Sequence, residues 1–253
     1  MLRQRVIPTL LLKNGRMVKG VNFSNHVDVG HPVTAAKIYN AQGADELFFL
    51  DIDFVTRKKE ITLRIIEETA ENCFVPLTVG GGIESILDIQ NFLNAGADKI
   101  SINTAAVKNP ALLKEASKKY GAQCIVASVD VRLKDKKYEV FIYSGIVATG
   151  LEAIEWCKKL RDCGVGEIMI TSIDREGTMK GYDIDLIKNI ANAVDIPVIA
   201  SGGAGTLEHL EEALKIDNIS AISASSIFHF TDQSPIKARF YLSSKNLNVR
   251  SRF

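Results

Sequence analysis

The sequence predicts an α/β fold in which eight strand–helix units close into a single (β/α)₈ barrel, the TIM-barrel architecture. Short apolar segments suited to strands alternate with amphipathic segments suited to helices along the chain, which favours a parallel sheet. Eight such units in 253 residues match the usual size of this barrel. The halves of the chain also repeat each other, because Asp53 and Asp174, and likewise Pro76 and Pro197, are 121 residues apart.

The individual elements follow from periodicity and from capping residues. Pro32 suits the first turn of a helix that Gly43 ends, and Ser85 and Asp88 have the spacing of a capping box. The predicted strands are 5–12, 46–52, 75–79, 99–103, 124–131, 167–172, 196–200 and 219–224. The predicted helices are 32–42, 60–72, 85–94, 110–120, 152–162, 185–193, 207–215 and 234–242.

One segment interrupts the alternation of strands and helices. Residues 132–143 contain a charged run, Lys134 to Lys137, and then the alternating sequence Tyr-Glu-Val-Phe-Ile-Tyr. This pattern predicts a small β-hairpin inserted after the fifth strand.

Composition indicates an ordinary globular chain, whose length alone allows one large domain or two small ones. Because no linker interrupts the eight units, we expect a single domain over residues 1–253. With 46% hydrophobic residues, 24% charged residues and a net charge of +1, the chain has no electrostatic reason to bind nucleic acid or a membrane. No apolar run approaches the ~20 residues of a membrane span. The four cysteines have no CxxC spacing, so we expect reduced thiols, a cytoplasmic location, and neither a metal nor another cofactor.

Two glycine clusters follow the third and seventh predicted strands, and a hydroxyl or amide residue follows the fourth and eighth. Glycines let the backbone approach a ligand closely, and helix N-termini offer unpaired N–H groups to anions. The alternative is a pair of tight turns without a ligand. The repeated pattern predicts two phosphate sites and an elongated substrate phosphorylated at both ends. The first cradle comprises Gly81, Gly82, Asn103 and Thr104, and the second cradle comprises Gly177, Gly203, Ser225 and Ser226.

Asp130 is the best candidate for acid–base chemistry, because it ends the fifth predicted strand, where such barrels place catalytic groups. The alternative is an aspartate that only caps a loop. The equivalent position in the first half, 119 residues earlier, is Leu11. Lys19, after the first strand, is a candidate for substrate binding, or else a solvated loop residue. The four histidines lack the spacing of a triad or metal site and are interpreted as packing or surface residues.

Several motifs resemble one family over nearly the whole chain. They include Val-Lys-Gly-Val-Asn-Phe at 18–23, Leu-Thr-Val-Gly-Gly-Gly-Ile at 77–83, Ser-Ile-Asn-Thr-Ala-Ala at 101–106 and Ala-Ser-Gly-Gly-Ala-Gly at 200–205. The family is the cyclase subunit of imidazole glycerol phosphate synthase. The resemblance implies a barrel paired with a glutaminase subunit, whose ammonia crosses the barrel axis. The implied substrate is an aminoimidazole carboxamide ribonucleotide with a phosphoribulosyl group, and the products are imidazole glycerol phosphate and an aminoimidazole carboxamide ribonucleotide.

The resemblance also implies a gate of charged residues where ammonia enters, at the N-terminal end of the barrel. The matching positions are Arg5, Glu46, Lys99 and Glu167. Without the resemblance these four residues could equally form a structural salt-bridge ring that closes the barrel floor.

The opposite end departs from the family. The cyclase uses two aspartates; this chain has Asp130, but Leu11 stands at the position of the other aspartate. Val27 stands where the family has an arginine in the first loop, and Ile146 and Val147 stand where it has a basic pair after the hairpin. Glu176 replaces a second loop aspartate and still offers a carboxylate.

This pattern resembles a branch of the family that supplies ammonia for acetamidino-sugar synthesis in surface polysaccharides such as lipopolysaccharide, with a sugar amidotransferase as a further partner. Two alternatives remain. One is a working cyclase of histidine biosynthesis that uses Asp130 alone or with Glu176 and Lys19. The other is a phosphate-binding scaffold without catalysis.

Overall fold

The computed structural model describes residues 3–53 and 59–250, in which strands and helices alternate. The strands are β1 (Arg5–Lys13), β2 (Arg16–Val21), β3 (Ser24–Gly30), β4 (Leu47–Asp51), β5 (Leu77–Gly80), β6 (Lys99–Ile102), β7 (Ile125–Lys134), β8 (Lys137–Ile142), β9 (Val147–Glu152), β10 (Glu167–Ser172), β11 (Val198–Ser201) and β12 (Ile219–Ala224). The helices are α1 (Pro32–Ala41), α2 (Lys59–Asn72), α3 (Ile86–Asn94), α4 (Thr104–Lys108), α5 (Ala111–Tyr120), α6 (Ala153–Asp162), α7 (Ile184–Ala193), α8 (Leu207–Leu214), α9 (Ser226–Phe230) and α10 (Pro235–Ser244).

Eight parallel strands close into a barrel, which confirms the predicted fold class. Their order is β10–β11–β12–β1–β4–β5–β6–β7, and β7 pairs with β10 to complete the circle. The first strand pairs with the last, with Arg5 opposite Ala221. Each predicted barrel strand is present, with ends shifted by a few residues at most.

The hairpin predicted after the fifth barrel strand is present but larger. β7 continues beyond the barrel to Lys134, β8 pairs with it in antiparallel register, and β9 adds a third strand. Asp130 is opposite Thr171 in the barrel and opposite Phe141 in the hairpin. Asp130 therefore lies at the end of the barrel part of β7, as predicted, and the strand continues from there into the hairpin.

A second antiparallel extension of the barrel was not predicted: β2 pairs with the end of β1, and β3 pairs with β2. The turn between β1 and β2 lies at Asn14 and Gly15, both of which have positive φ. Asn-Gly between two β-suited runs is a strong hairpin signal because both residues tolerate this conformation. The signal was present in the sequence, and recognising it would have placed Lys19 in a strand.

The helices pack around the barrel, and the main apolar core lies between the two layers. A separate apolar cluster fills the barrel interior: Ile7, Phe48, Val126, Met169, Ile199 and Ala221. All six are essentially inaccessible to solvent, so an apolar layer crosses the barrel at this height.

No described helix has the length and apolarity required to cross a membrane. The cysteines are free thiols.

Gly81 marks a close approach between neighbouring barrel strands. Its φ is +103°, and a Cβ there would lie 2.0 Å from the Asp51 carbonyl oxygen. Gly150 has a φ of +75°, but a Cβ there would meet no heavy atom of the described residues within 4 Å, so it serves as a matched control. We expect Gly150→Ala to cost roughly 1–2 kcal/mol for the left-handed backbone alone. Gly81→Ala should cost about 3 kcal/mol or more, because the strands must separate. Denaturant unfolding measures both values, and equal losses would contradict this account.

Candidate active site

A ring of four charged side chains closes the N-terminal end of the barrel. Lys99 Nζ lies 3.1 Å from Glu46 Oε2 and 2.8 Å from Glu167 Oε2, and Arg5 contacts the same two carboxylates. Each cation therefore bridges both anions, and the ring has no net charge. Burial disfavours the Glu167 carboxylate, but Arg5 and Lys99 outweigh this and hold its pKa below its ordinary value. The structure thus brings together all four residues predicted as a gate, and Thr78 adds a hydrogen bond to Glu46.

Above this ring the interior changes from apolar to hydroxyl-bearing. The apolar cluster comes first, and the next inward positions are Thr9, Ser101, Ser128, Thr171, Ser201 and Ser223. Thr9 and Ser223 share a hydrogen bond of 2.6 Å, and Ser201 donates to Ser223 over 3.4 Å. The sequence analysis missed this hydroxyl layer. Its signal was the two-residue alternation of strands, for example Lys99, Ser101 and Asn103 along one strand.

The hydroxyl layer forms the floor of a pocket at the C-terminal mouth of the barrel. All eight residues of the first and second cradles line this pocket, together with Asp130 and Glu176. Leu11 and Leu50 add apolar surface to it. Sequence reasoning therefore placed the glycine, hydroxyl and acidic residues of one site correctly, although their binding roles remain predictions.

Each cradle combines a glycine of positive φ with the start of a short helix. Gly82 and Gly203 have φ values of +66° and +110°. Directly after Asn103 and Ser225, the short helices α4 and α9 begin. A Cβ on Gly203 would meet the Gly181 carbonyl oxygen at 2.1 Å, so only glycine fits there.

Three polar atoms in this pocket are buried without a hydrogen-bond partner among the described residues. They are Ser101 Oγ, Asn103 Oδ1 and Ser225 Oγ. Unsatisfied buried polar groups are costly, and such groups at the wall of a pocket indicate a site for a polar ligand.

Asp130 is poised for proton exchange near neutral pH. Burial and, secondarily, the charge of Glu176 raise its pKa to about 7, although hydrogen bonds from Asn103 and Thr171 act in the opposite direction. The Asn103 Nδ2 to Asp130 Oδ2 distance is 2.7 Å. Asp130 remains partly exposed and lines the pocket, so the carboxyl group can exchange a proton with a bound molecule.

Lys19 is a buried residue of β2 and not a solvated loop lysine. Its side chain is 1% exposed, forms a salt bridge with Glu176 and donates to the Gly20 carbonyl oxygen over 2.9 Å. Because Glu176 also lies near Asp130, the three predicted catalytic residues form one connected group.

The two hairpins meet over the mouth. Asn22 Nδ2 donates to the carbonyl oxygens of Ile173 and Asp174, which fastens the β2–β3 turn to the loop after β10. The β8–β9 turn approaches Phe23, because a Cβ on Gly145 would lie 2.9 Å from its ring. Phe23 and Tyr143 line the pocket and were missed, since only the tertiary arrangement of the hairpins brings them there.

The histidines have roles that the sequence interpretation only partly anticipated. His209 completes a capping box with Thr206 at the start of α8, and Tyr39 hydrogen-bonds to His229 Nδ1 at 2.8 Å. Burial lowers the pKa of His229 to about 4. His26 lines the mouth pocket, so its interpretation as a packing or surface residue was incomplete. The described residues contain no cluster of three or more His, Cys, Asp or Glu side chains arranged for a metal ion.

The raised pKa of Asp130 predicts a pH-dependent cost to stability. Between about pH 4 and about pH 7 the folded protein binds the Asp130 proton and the unfolded chain does not, so stability falls as pH rises through this range. Asp130→Asn should therefore be more stable than wild type above pH 7, by on the order of a few kcal/mol, and the gain should vanish below about pH 4.

Asp28 supplies a control, because its pKa is shifted in the direction opposite to that of Asp130. This exposed carboxylate has a lowered pKa because Arg16 donates hydrogen bonds to it, so Asp28→Asn should give no gain at any pH. Urea unfolding across the pH range tests both variants. A constant difference between Asp130→Asn and wild type would contradict the assigned shift.

The comparison with known families agrees with this architecture. A family model described as "Histidine biosynthesis protein" matches residues 5–234, which include all eight barrel strands, both cradles and the charged ring. With most of its length matched and a closed parallel barrel, this chain belongs to the histidine biosynthesis protein family of barrel enzymes.

Proposed function

We propose that this chain is a cyclase-type subunit of a glutamine amidotransferase complex that delivers ammonia for acetamidino-sugar synthesis. A glutaminase subunit docks on the face that bears the charged ring, and ammonia crosses the barrel to the mouth. The observation that carries the choice of delivery over ring closure is Leu11. It lines the mouth pocket that holds Asp130, at the position where the cyclase has its first aspartate.

The order of layers along the barrel axis supports a passage for a neutral molecule. An ammonium ion would lose its hydration in the apolar cluster around Phe48 and Met169, which costs several kcal/mol, whereas neutral ammonia carries no such penalty. The ring of paired charges around Lys99 has no net charge, and it is suited to hold back ions at the entrance of the barrel. The hydroxyl layer then offers donors and acceptors on the way to the mouth.

The two hairpins that meet over the mouth support the same choice. Val27, Ile146 and Val147 are 54%, 64% and 42% exposed, at positions where the resemblance implies an arginine and a basic pair. These apolar side chains cannot supply the cations that the resemblance implies for holding the charged parts of the histidine-pathway substrate. Delivery to a sugar amidotransferase needs no such cations on this chain.

A working cyclase remains the second candidate, because Asp130 and Glu176 line the same pocket and Lys19 forms a salt bridge with Glu176. Both activities use the two cradles as phosphate sites. Lys59 lies beside Gly82 of the first cradle, and Arg175 lies beside Gly203 of the second cradle. The scaffold alternative has no observation in its favour, since a pure scaffold does not require a carboxyl group with a pKa of about 7.

The charged ring provides a test of the glutaminase interface. In Lys99→Ala, Arg5 still bridges Glu46 and Glu167, so the barrel should still fold, although the carboxylate left without a partner should cost several kcal/mol of stability. The entrance gains one uncompensated negative charge, and we expect ammonia transfer to fall by about tenfold relative to glutamine hydrolysis. Lys215→Ala removes an exposed lysine–glutamate pair as a matched control and should not affect transfer. Coupled glutaminase assays measure the ratio, and an unchanged ratio in Lys99→Ala would count against a gate.

Leu11 provides the test that separates delivery from ring closure. A positioned acid or base typically contributes 10²–10⁴-fold to rate, so wild type with free ammonium and the histidine-pathway substrate should turn over about 10²–10⁴-fold more slowly than an ordinary cyclase. Leu11→Asp, alone or with Val27→Arg, should restore measurable cyclisation, because residue 11 is partly exposed to the pocket. Leu11→Asn is the control, since asparagine resembles aspartate in size and polarity but has no titratable proton. Wild-type turnover at the level of an ordinary cyclase would return this chain to histidine biosynthesis.

A further inference from the structure

Asn103 is the residue of the first cradle that contacts Asp130. Its Nδ2 donates to Asp130 Oδ2 over 2.7 Å, whereas its Oδ1 is buried and has no partner among the described residues. The side chain precedes α4 but makes no capping hydrogen bond to that helix, and it lines the mouth pocket. One end of this amide is therefore committed to Asp130, and the other end is available to a ligand.

The two ends of an amide differ, and the protonation of Asp130 decides which end faces it. An ionised carboxylate only accepts hydrogen bonds, so it requires the NH₂ group of Asn103, and the amide oxygen then faces the cradle. A protonated carboxyl can donate to the amide oxygen, and the NH₂ group then faces the cradle. An anion in the cradle attracts the NH₂ group and repels the oxygen.

We infer that Asn103 is a positioning residue that couples anion binding in the first cradle to protonation of Asp130. The inference rests on the proposed function in one respect, the presence of a substrate phosphate in this cradle. Binding of that phosphate turns the amide through 180° and favours the acid form of Asp130. The substrate thereby loads a proton onto the group that lies next to it.

Other groups around Asp130 affect its protonation, and each comes from a different element. Thr171 on β10 donates a hydrogen bond, and Glu176 in the loop after β10 contributes its negative charge. Lys19 on β2 pairs with Glu176. His26 on β3 lines the same pocket. The bound anion's own charge also favours protonation of Asp130, so a test must separate this charge effect from the amide reversal.

The second cradle is an internal comparison, because its residue equivalent to Asn103 is Ser225. Ser225 Oγ is buried without a partner among the described residues, and the position equivalent to Asp130 is Leu11. A hydroxyl can rotate to donate to an anion whatever its neighbours do. Proton coupling of this kind is therefore restricted to the first cradle.

Sulfate is the suitable probe, because it remains a dianion throughout the range in which Asp130 titrates. Crystals soaked in sulfate assign the ion to each cradle, and calorimetry in two buffers of different ionisation enthalpy measures proton uptake. We expect wild type to take up protons on binding, with sulfate affinity in the first cradle falling on the order of tenfold from about pH 6 to about pH 8.

Two substitutions and their combination separate the two effects. Asp130→Asn imitates the protonated carboxyl, so sulfate affinity should be high and independent of pH. Asn103→Ala should weaken binding about tenfold in the Asp130→Asn background but little in wild type at about pH 8, where the amide oxygen faces the cradle. If only charge mattered, Asn103→Ala would have the same effect in both backgrounds.

The possible failures can be told apart. Absence of sulfate from both cradles would overturn the proposed phosphate sites and this inference with them. Sulfate bound in the first cradle with the same pH dependence in wild type and Asn103→Ala would overturn the coupling alone. If Asn103→Ala does not fold, Asn103→Leu, which has a similar size and no hydrogen-bonding group, replaces it in both backgrounds, and the same two outcomes decide.

Discussion

Closure of the parallel sheet is the constraint on which every site in this protein depends. Once β12 pairs with β1, every second side chain of the eight strands points into one enclosed space. Arg5, Ile7, Thr9 and Leu11 of β1 thus enter the charged ring, the apolar cluster, the hydroxyl layer and the mouth in turn. A register shift of one residue would exchange these side chains with the outward core and remove all four layers together.

The parts of the site that the sequence could predict are those with local causes. A glycine such as Gly81 is required by its own backbone conformation and by the neighbouring strand end, so it stands out in the sequence. Lys19 has no such local cause. Its burial results from contact with Glu176, 157 residues away, which depends on how a hairpin folds over the mouth. Serines and threonines of the hydroxyl layer are likewise ordinary in single strands and acquire meaning only when eight strands meet.

The two ends of the barrel handle charge in opposite ways. At the floor, Lys99 and Arg5 neutralise two carboxylates completely, and a ring of this kind gives little net stability because desolvation offsets the attraction. At the mouth, Asp130 has no cation in hydrogen-bond contact among the described residues, and burial raises its pKa towards neutrality. The floor thus contains charges that are fully paired, and the mouth contains a carboxyl group whose pKa lies near neutrality.

The half-barrel repeat explains why the two cradles differ. Asn103 comes one residue after the pair Ile102–Ala127, and Ser225 comes one residue after the pair Pro8–Ala224, so the two positions are equivalent. On the neighbouring strands the equivalent residues are Asp130 and Leu11. The amide has its carboxyl partner, whereas the hydroxyl of Ser225 has none among the residues that the structure describes. The same leucine that removes an acid from the mouth therefore also leaves the second cradle without a titratable neighbour at this position. Residue 11 therefore affects both the number of carboxyl groups at the mouth and the difference between the two cradles.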